Sequence, residues 1–200
     1  MPMIYNVCEV FYSLQGEGLL QGLPMIFIRL AGCNLMCEFC DTKYARDKGE
    51  KKDLREIIKE TEKYPAKWVC ITGGEPFLQK LSPLLDALKK REYNVSVETN
   101  GTIWQDIKPD WLTVSPKREG LLYFKYGYDE RFLKIANEFK YVITERKDLK
   151  LIDRRIKAPI VLQPVDNNIE IAKYIVNILK KHPKENWYLR MQIHKLIDIK

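Results

Sequence analysis

The chain has 200 residues, 46% of them apolar, enough for a sizeable core in one domain or a compact pair. No apolar run reaches the roughly 18 residues of a membrane span, and the opening Met1-Pro2-Met3-Ile4-Tyr5-Asn6 has no basic stretch leading into an apolar one, so neither a membrane nor a secreted protein is expected. The formal net charge of +7 lies largely in lysine-rich helices and the last third, as on a solvated surface; a nucleic-acid face would interleave basic and aromatic residues, so the expected partner is an acidic substrate or electron donor, with no direct nucleic-acid contact.

No low-complexity segment or linker divides the sequence, and residues 1–200 read as a single domain. Residues 4–14 predict a strand, and residues 25–31 a buried strand carrying one charge, Arg29. A cysteine loop follows. Beyond it the pattern predicts a helix over 53–63, a strand over 68–72, a helix over 81–91 and strands over 95–99 and 112–115. It continues with a helix over 129–138, a strand over 141–144, a helical turn near 147–153, a strand over 159–163, a helix over 168–181 and a strand over 187–192. In the helix at 168–181, Ile171, Ile175, Ile178 and Leu179 recur at helical spacing and predict an apolar stripe. This alternation predicts an α/β fold with mostly parallel strands and right-handed crossovers. About six strands suit an abbreviated, partial (β/α)6-type barrel, with chemistry at the C-terminal ends of the strands.

Cys33, Cys37 and Cys40 fall within eight residues. Thiolates so spaced converge on one metal centre. A cubane iron–sulfur cluster usually takes four cysteines, so three would leave one iron open to a small molecule. Structural zinc would need four ligands, and Cys8, Cys70, His182 and His194 form no second paired motif. The odd cysteine count argues against a disulfide framework, and reduced thiols in a cytoplasm are expected. CxxxCxxC with an aromatic residue, Phe39, before its last cysteine resembles the radical S-adenosylmethionine (SAM) superfamily. That resemblance implies a 4Fe–4S cluster whose open iron is chelated by SAM and whose electron generates a 5′-deoxyadenosyl radical.

Polar or glycine-containing runs follow the predicted strands: Thr72-Gly73-Gly74-Glu75-Pro76, Glu98-Thr99-Asn100-Gly101, Ser115-Pro116-Lys117, Gln163-Pro164-Val165-Asp166 and Gln192-Ile193-His194-Lys195. Each alone is an ordinary turn; together, in register with a barrel, they mark a site. Gly73 and Gly74 leave room for a ligand at the backbone, and their amides would meet SAM's methionyl end. Ser115 and Lys117 would hold polar edges of SAM, and Gln163–Asp166 its adenosine part. Gly16 and Gly18 flank Glu17, giving open backbone beside a carboxylate that can accept paired hydrogen bonds from a pterin's aminopyrimidinone edge. Arg29, inside an apolar strand, requires a partner: a structural salt bridge or, more sharply, a substrate carboxylate.

The runs SLQGEG (13–18), FIRLAGCNL (27–35) and CDTKYA (40–45), with TGGEP, ETNGT, SPK, QPVD and QIHK, closely resemble the 7-carboxy-7-deazaguanine synthase family over nearly the full chain. The resemblance implies conversion of 6-carboxy-5,6,7,8-tetrahydropterin to 7-carboxy-7-deazaguanine by hydrogen abstraction at C6, ring contraction and loss of ammonia, in queuosine or archaeosine biosynthesis. It implies SAM as a regenerated cofactor, Mg²⁺ at Thr42, and substrate contacts from Leu14, Gln15, Gly16, Arg29 and Thr72. SAM contacts are implied for Phe39, Cys40, Asp41, Gly74, Ser115, Pro116, Lys117, Gln163, Pro164, Val165 and Asp166. Glu17 joins the substrate set on its own chemistry, and the resemblance, whose chains end at a similar interval after the matching histidine, implies that His194 and the terminal carboxylate of Lys200 reach the substrate too. A homodimer and a flavodoxin- or ferredoxin-like electron donor are also expected. A glycyl-radical activating enzyme shares CxxxCxxC but acts on a protein backbone, whereas SLQGEG and Arg29 suit a small carboxylated heterocycle. A non-catalytic iron–sulfur carrier would need no TGGEP and normally has a fourth cysteine.

Overall fold

The computed structural model of the protein describes residues 3–200, so Met1 and Pro2 of the opening segment read above lie outside it. The chain forms two compact units. Among the described residues, the first comprises 3–14, Leu23–Thr99 and Ile103–Leu112; the second comprises Gln15–Gly22, Asn100–Thr102 and Thr113–Lys200.

The first unit carries β1 (Ile4–Leu14), β2 (Pro24–Leu30), α1 (Tyr44–Asp47), β3 (Glu50–Asp53), α2 (Leu54–Thr61), β4 (Trp68–Gly73), α3 (Ser82–Lys89) and β5 (Asn94–Thr99). Its strands lie in the order β3-β1-β2-β4-β5. β1 is antiparallel to β2 and β3, whereas β2, β4 and β5 run parallel. The run Met25-Ile26-Phe27-Ile28 is buried throughout, as a strand covered on both faces requires. α2 starts at a capping box: Asp53 accepts from the Glu56 N–H at 2.9 Å, and Glu56 accepts from the Asp53 N–H at 2.7 Å. Ile57, Ile58 and Thr61 turn inward from α2, as Leu84, Leu85 and Leu88 do from α3.

The second unit carries β7 (Glu138–Ile143), β8 (Ile160–Pro164), α4 (Ile169–Lys181), β9 (Trp187–Leu189) and α5 (Ile193–Leu196). The end of β6 (Trp111–Val114) pairs in parallel with β7 through Thr113 and Val114, and β8 and β9 continue the parallel set. α4 is capped by Asn168, which accepts from the Ile171 N–H at 3.0 Å. Ala172 and Ile175 are buried from it, while Ile171, Ile178 and Leu179 are half-buried, so the expected stripe is deepest at its middle.

The structure departs from the sequence reading in several places. No α-helix spans 129–138; Glu130–Lys134 is a short 3₁₀ turn capped by Asp129, and Glu138 already belongs to β7. Glu138 is drawn into the sheet by Thr113, whose hydroxyl donates to it at 2.7 Å, a distant partner that local propensity does not see. The strand expected over 187–192 ends at Leu189, and α5 follows where none was expected. β3 was hidden by its charged sequence, Glu-Lys-Lys-Asp, typical of a strand with one face in water. Among the described residues no helix is long and apolar enough to cross a membrane. Asp53→Ala removes the α2 cap and should lower stability by about 1 kcal/mol, read as a reduced urea midpoint with an unchanged slope.

Candidate active site

In the first unit the three cysteines lie on the loop after β2, and all are free thiols. The loop is seated on the turn after β4. The Glu75 N–H donates to the Gly32 carbonyl at 2.7 Å, and the Gly74 N–H to the Leu30 carbonyl at 3.2 Å. A methyl group at Gly74 would collide with the Gly32 carbonyl and with Cys33 Cβ, and one at Gly73 with the Leu30 carbonyl. The amide of Gly74 is therefore engaged by the protein, and these glycines admit the backbone at the end of β2 and at the start of the cysteine loop. The fully buried Glu75 carboxylate fixes this turn, accepting from the Phe77 N–H at 2.9 Å and the Thr99 hydroxyl at 2.7 Å. TGGEP is thus tied to Thr99 at the end of β5. On the loop itself, the Leu35 N–H points at Cys33 Sγ (3.4 Å), and Thr42 Oγ1 lies 3.6 Å from Cys40 Sγ. Phe39 is half-buried and Asp41 exposed. Three thiols on a pinned loop, one already receiving an amide N–H, form a donor set that fits a cluster with three cysteine ligands.

Arg29 has the protein partner its burial demands. Glu9, directly opposite on β1, accepts from Arg29 Nε at 2.8 Å and from the Tyr44 hydroxyl at 2.8 Å. The guanidinium lies over the rings of Phe11 and Tyr44, at 5.5 and 6.0 Å from their centroids. Partial burial, with the Glu9 carboxylate adding, pushes the Tyr44 hydroxyl up to about 12, so it remains a donor at neutral pH. Thr72 is in register with Arg29 on the neighbouring strand. Glu9 and Tyr44 escaped the sequence reading, although a carboxylate inside an otherwise apolar strand is the same signal that singled out Arg29.

In the second unit, Gln15, Gly16 and Glu17 are joined to the segment around His194. The Ile193 N–H donates to the Gly16 carbonyl at 3.0 Å, and Gly16 has no room for a side chain because His194 Nδ1 and Cβ lie against it. Gln15 Oε1 accepts from the Glu17 N–H at 3.1 Å. The Glu17 carboxylate, expected to be open, already pairs with the Lys140 ammonium and accepts from Gln192 Nε2 at 2.7 Å. Burial works to raise its pKa, but the Lys140 charge and the two donors outweigh that and bring it down to about 2. Asn167 holds Gln192 in turn, accepting from its N–H at 2.7 Å and donating to its carbonyl at 2.9 Å. The Ile199 N–H folds back onto the His194 carbonyl at 3.0 Å, while Lys200 is exposed.

The remaining expected SAM residues also fall in this unit. The Ser115 hydroxyl donates to the Lys140 carbonyl at 2.8 Å, and Lys117 Nζ donates to the Ser115 carbonyl at 2.8 Å. Pro116 and Pro164 are buried and Val165 half-buried. Asp166 is exposed, in a left-handed conformation, and pairs with Lys195 at 2.6 Å. Gln163 is 1% exposed, yet its Oε1 accepts no hydrogen bond. Buried amide oxygens are rarely left so, and this orphaned acceptor fits the amino or hydroxyl donors of a nucleoside.

A loop of three cysteines joined to a glycine pair after the next strand, in an α/β fold of mostly parallel strands, defines a radical SAM protein, and residues 27–116 match the family model of the Radical SAM superfamily. The chain is 41% identical to a 7-carboxy-7-deazaguanine synthase of Bacteroides thetaiotaomicron, over 99% of this chain and all of that protein. It is 37% identical to one of Aquifex aeolicus, over 96% of this chain and 93% of that one. The crystal structure of QueE from Escherichia coli superposes with a TM-score of 0.80 at 30% identity, covering 94% of each chain. The chain belongs to the 7-carboxy-7-deazaguanine synthase family of radical SAM proteins.

Gly74→Ala should unseat the cysteine loop: iron and sulfide retained after anaerobic reconstitution should fall severalfold while the far-ultraviolet circular dichroism stays native. Glu17 also has a pH signature. A carboxyl held at about 2 when folded, against 4.5 ordinarily, stabilises the fold above 4.5 and loses that contribution as pH falls toward 2. Between these limits the wild type should lose stability more steeply than a Glu17→Gln/Lys140→Met protein, as urea midpoints would record.

Proposed function

We infer that the protein is a 7-carboxy-7-deazaguanine synthase, converting 6-carboxy-5,6,7,8-tetrahydropterin to 7-carboxy-7-deazaguanine with loss of ammonia in 7-deazapurine biosynthesis. The observation that carries this reading is the cysteine loop seated on TGGEP in a chain related over nearly its whole length to proteins of that name. Bound together, the 4Fe–4S cluster and SAM supply a radical able to abstract a hydrogen atom.

The chain's own residues bind and orient. Cys33, Cys37 and Cys40 hold the cluster. Phe39, Asp41, Gly74, Ser115, Pro116, Lys117 and Gln163 to Asp166 hold SAM, with Gln163 Oε1 receiving one of its donors. Arg29 spends its Nε–H on Glu9, which sets the guanidinium plane so that its remaining N–H groups face the substrate carboxylate. Thr72, beside it in the sheet, adds a hydroxyl. Leu14, Gln15, Gly16, Glu17, His194 and Lys200 contact the pterin. A carboxylate accepts about four hydrogen bonds, so Glu17 has lone pairs left for the aminopyrimidinone after Lys140 and Gln192. Thr42 contributes its hydroxyl to an Mg²⁺ that retains water or substrate oxygens. We further propose a cytoplasmic homodimer reduced by a flavodoxin- or ferredoxin-like protein.

The decisive experiment is anaerobic turnover with SAM, dithionite and the tetrahydropterin. Wild type should form 7-carboxy-7-deazaguanine, and its absence would sink the reading. Cys37→Ala should abolish SAM cleavage, and Thr42→Ala should weaken the response to Mg²⁺ with the cluster intact. An unchanged metal titration would remove Thr42 from the site.

A further inference from the structure

Two buried charges on β7 have no part in the roles assigned above. Glu138 and Lys140, 2% and 4% exposed, are two positions apart on the strand and so share one face. Both serve the Gln15–Gly22 segment. Glu138 accepts from the Leu19 N–H at 2.8 Å, and Gly18, at φ +67°, sits so close that any side chain there would strike the Glu138 carboxylate. Lys140 pairs with Glu17. The same Glu17 carboxylate receives Gln192, two positions before His194, while the Gly16 carbonyl receives the Ile193 N–H. β7 thus grips the segment from one side, and the segment grips the stretch carrying His194.

We propose that Glu138 and Lys140 are positioning residues of the pterin site, Lys140 acting through Glu17 to fix Gln192 and His194 in register with Gly16. The substrate part of this inference rests on the synthase reading; the anchor itself does not. Carboxylate and ammonium on neighbouring positions of one strand make the seating directional: an amide N–H meets Glu138 and a carboxylate meets Lys140. Sliding the segment by one residue would bring neither partner into place.

The test uses the full chain with its cluster reconstituted. Lys140→Met should raise KM for the tetrahydropterin by about tenfold or more, leaving KM for SAM and pterin-independent SAM cleavage unchanged. Lys140→Arg, which keeps the charge, should recover most of the loss. Amide hydrogen exchange in peptides covering 15–22 and 190–195 should quicken in Lys140→Met, with β2 and β4 protected as in wild type. Leaving Glu17 buried without its counter-charge can itself unfold a protein, so Glu17→Gln/Lys140→Met, which removes both charges, is measured beside it and should show the same loosened peptides. Native exchange in 15–22 in that double variant, or equal losses in both KM values, would overturn the proposal. Failure of wild type to consume the pterin would overturn the synthase reading, while the exchange rates would still judge the anchor.

Discussion

A charge placed on a buried strand must bring its partner with it, because an isolated ion in an apolar sheet is far costlier than a paired one. Each of the two units obeys this constraint. Arg29 on β2 is answered by Glu9 across the antiparallel pair, and Tyr44 closes over both. Lys140 on β7 is answered by Glu17, and Glu138 by Thr113 and Leu19. Each pairing costs little in net stability and yields geometry: the partner is fixed to within a hydrogen bond's tolerance, and so is the loop that carries it.

The same economy governs the cysteine loop. Its glycine pair is used for backbone packing, so the thiols inherit their placement from the strand ends beneath them. Glu75, Thr99 and the carbonyls of Leu30 and Gly32 form a compact base in which every polar group described has a partner. Thiols presented this way are held in place before any partner arrives, which reduces the ordering cost of binding one.

Much of this was legible in the amino-acid sequence. Strands with long apolar runs, such as 25–30 and 68–72, announce themselves by composition, and α4 by its period. The cysteine spacing and the runs after the strands locate the chemistry. Legibility failed where one end of an interaction lies far away in the chain. Glu138 fell in the helix expected over 129–138 and Lys140 just outside the strand expected over 141–144; both are strand residues, met by Thr113, Leu19 and Glu17. Glu17 looked open because its partners lie 123 and 175 positions away. That Gly74 lies against the Gly32 carbonyl and Cys33 was not legible, because the sequence shows the missing side chain and not its neighbours.

Those separations shape how the protein acquires its structure. Loop closure over long stretches of chain is slow and comes late, after local contacts have formed. On a ribosome, Glu17 emerges 123 residues before Lys140 and 175 before Gln192, so its carboxylate waits for both. The three thiols and their seat, by contrast, lie between Leu30 and Thr99 and can assemble from one continuous stretch. A nascent chain would have its cysteine loop in place well before the carboxylate of Glu17 found its partners.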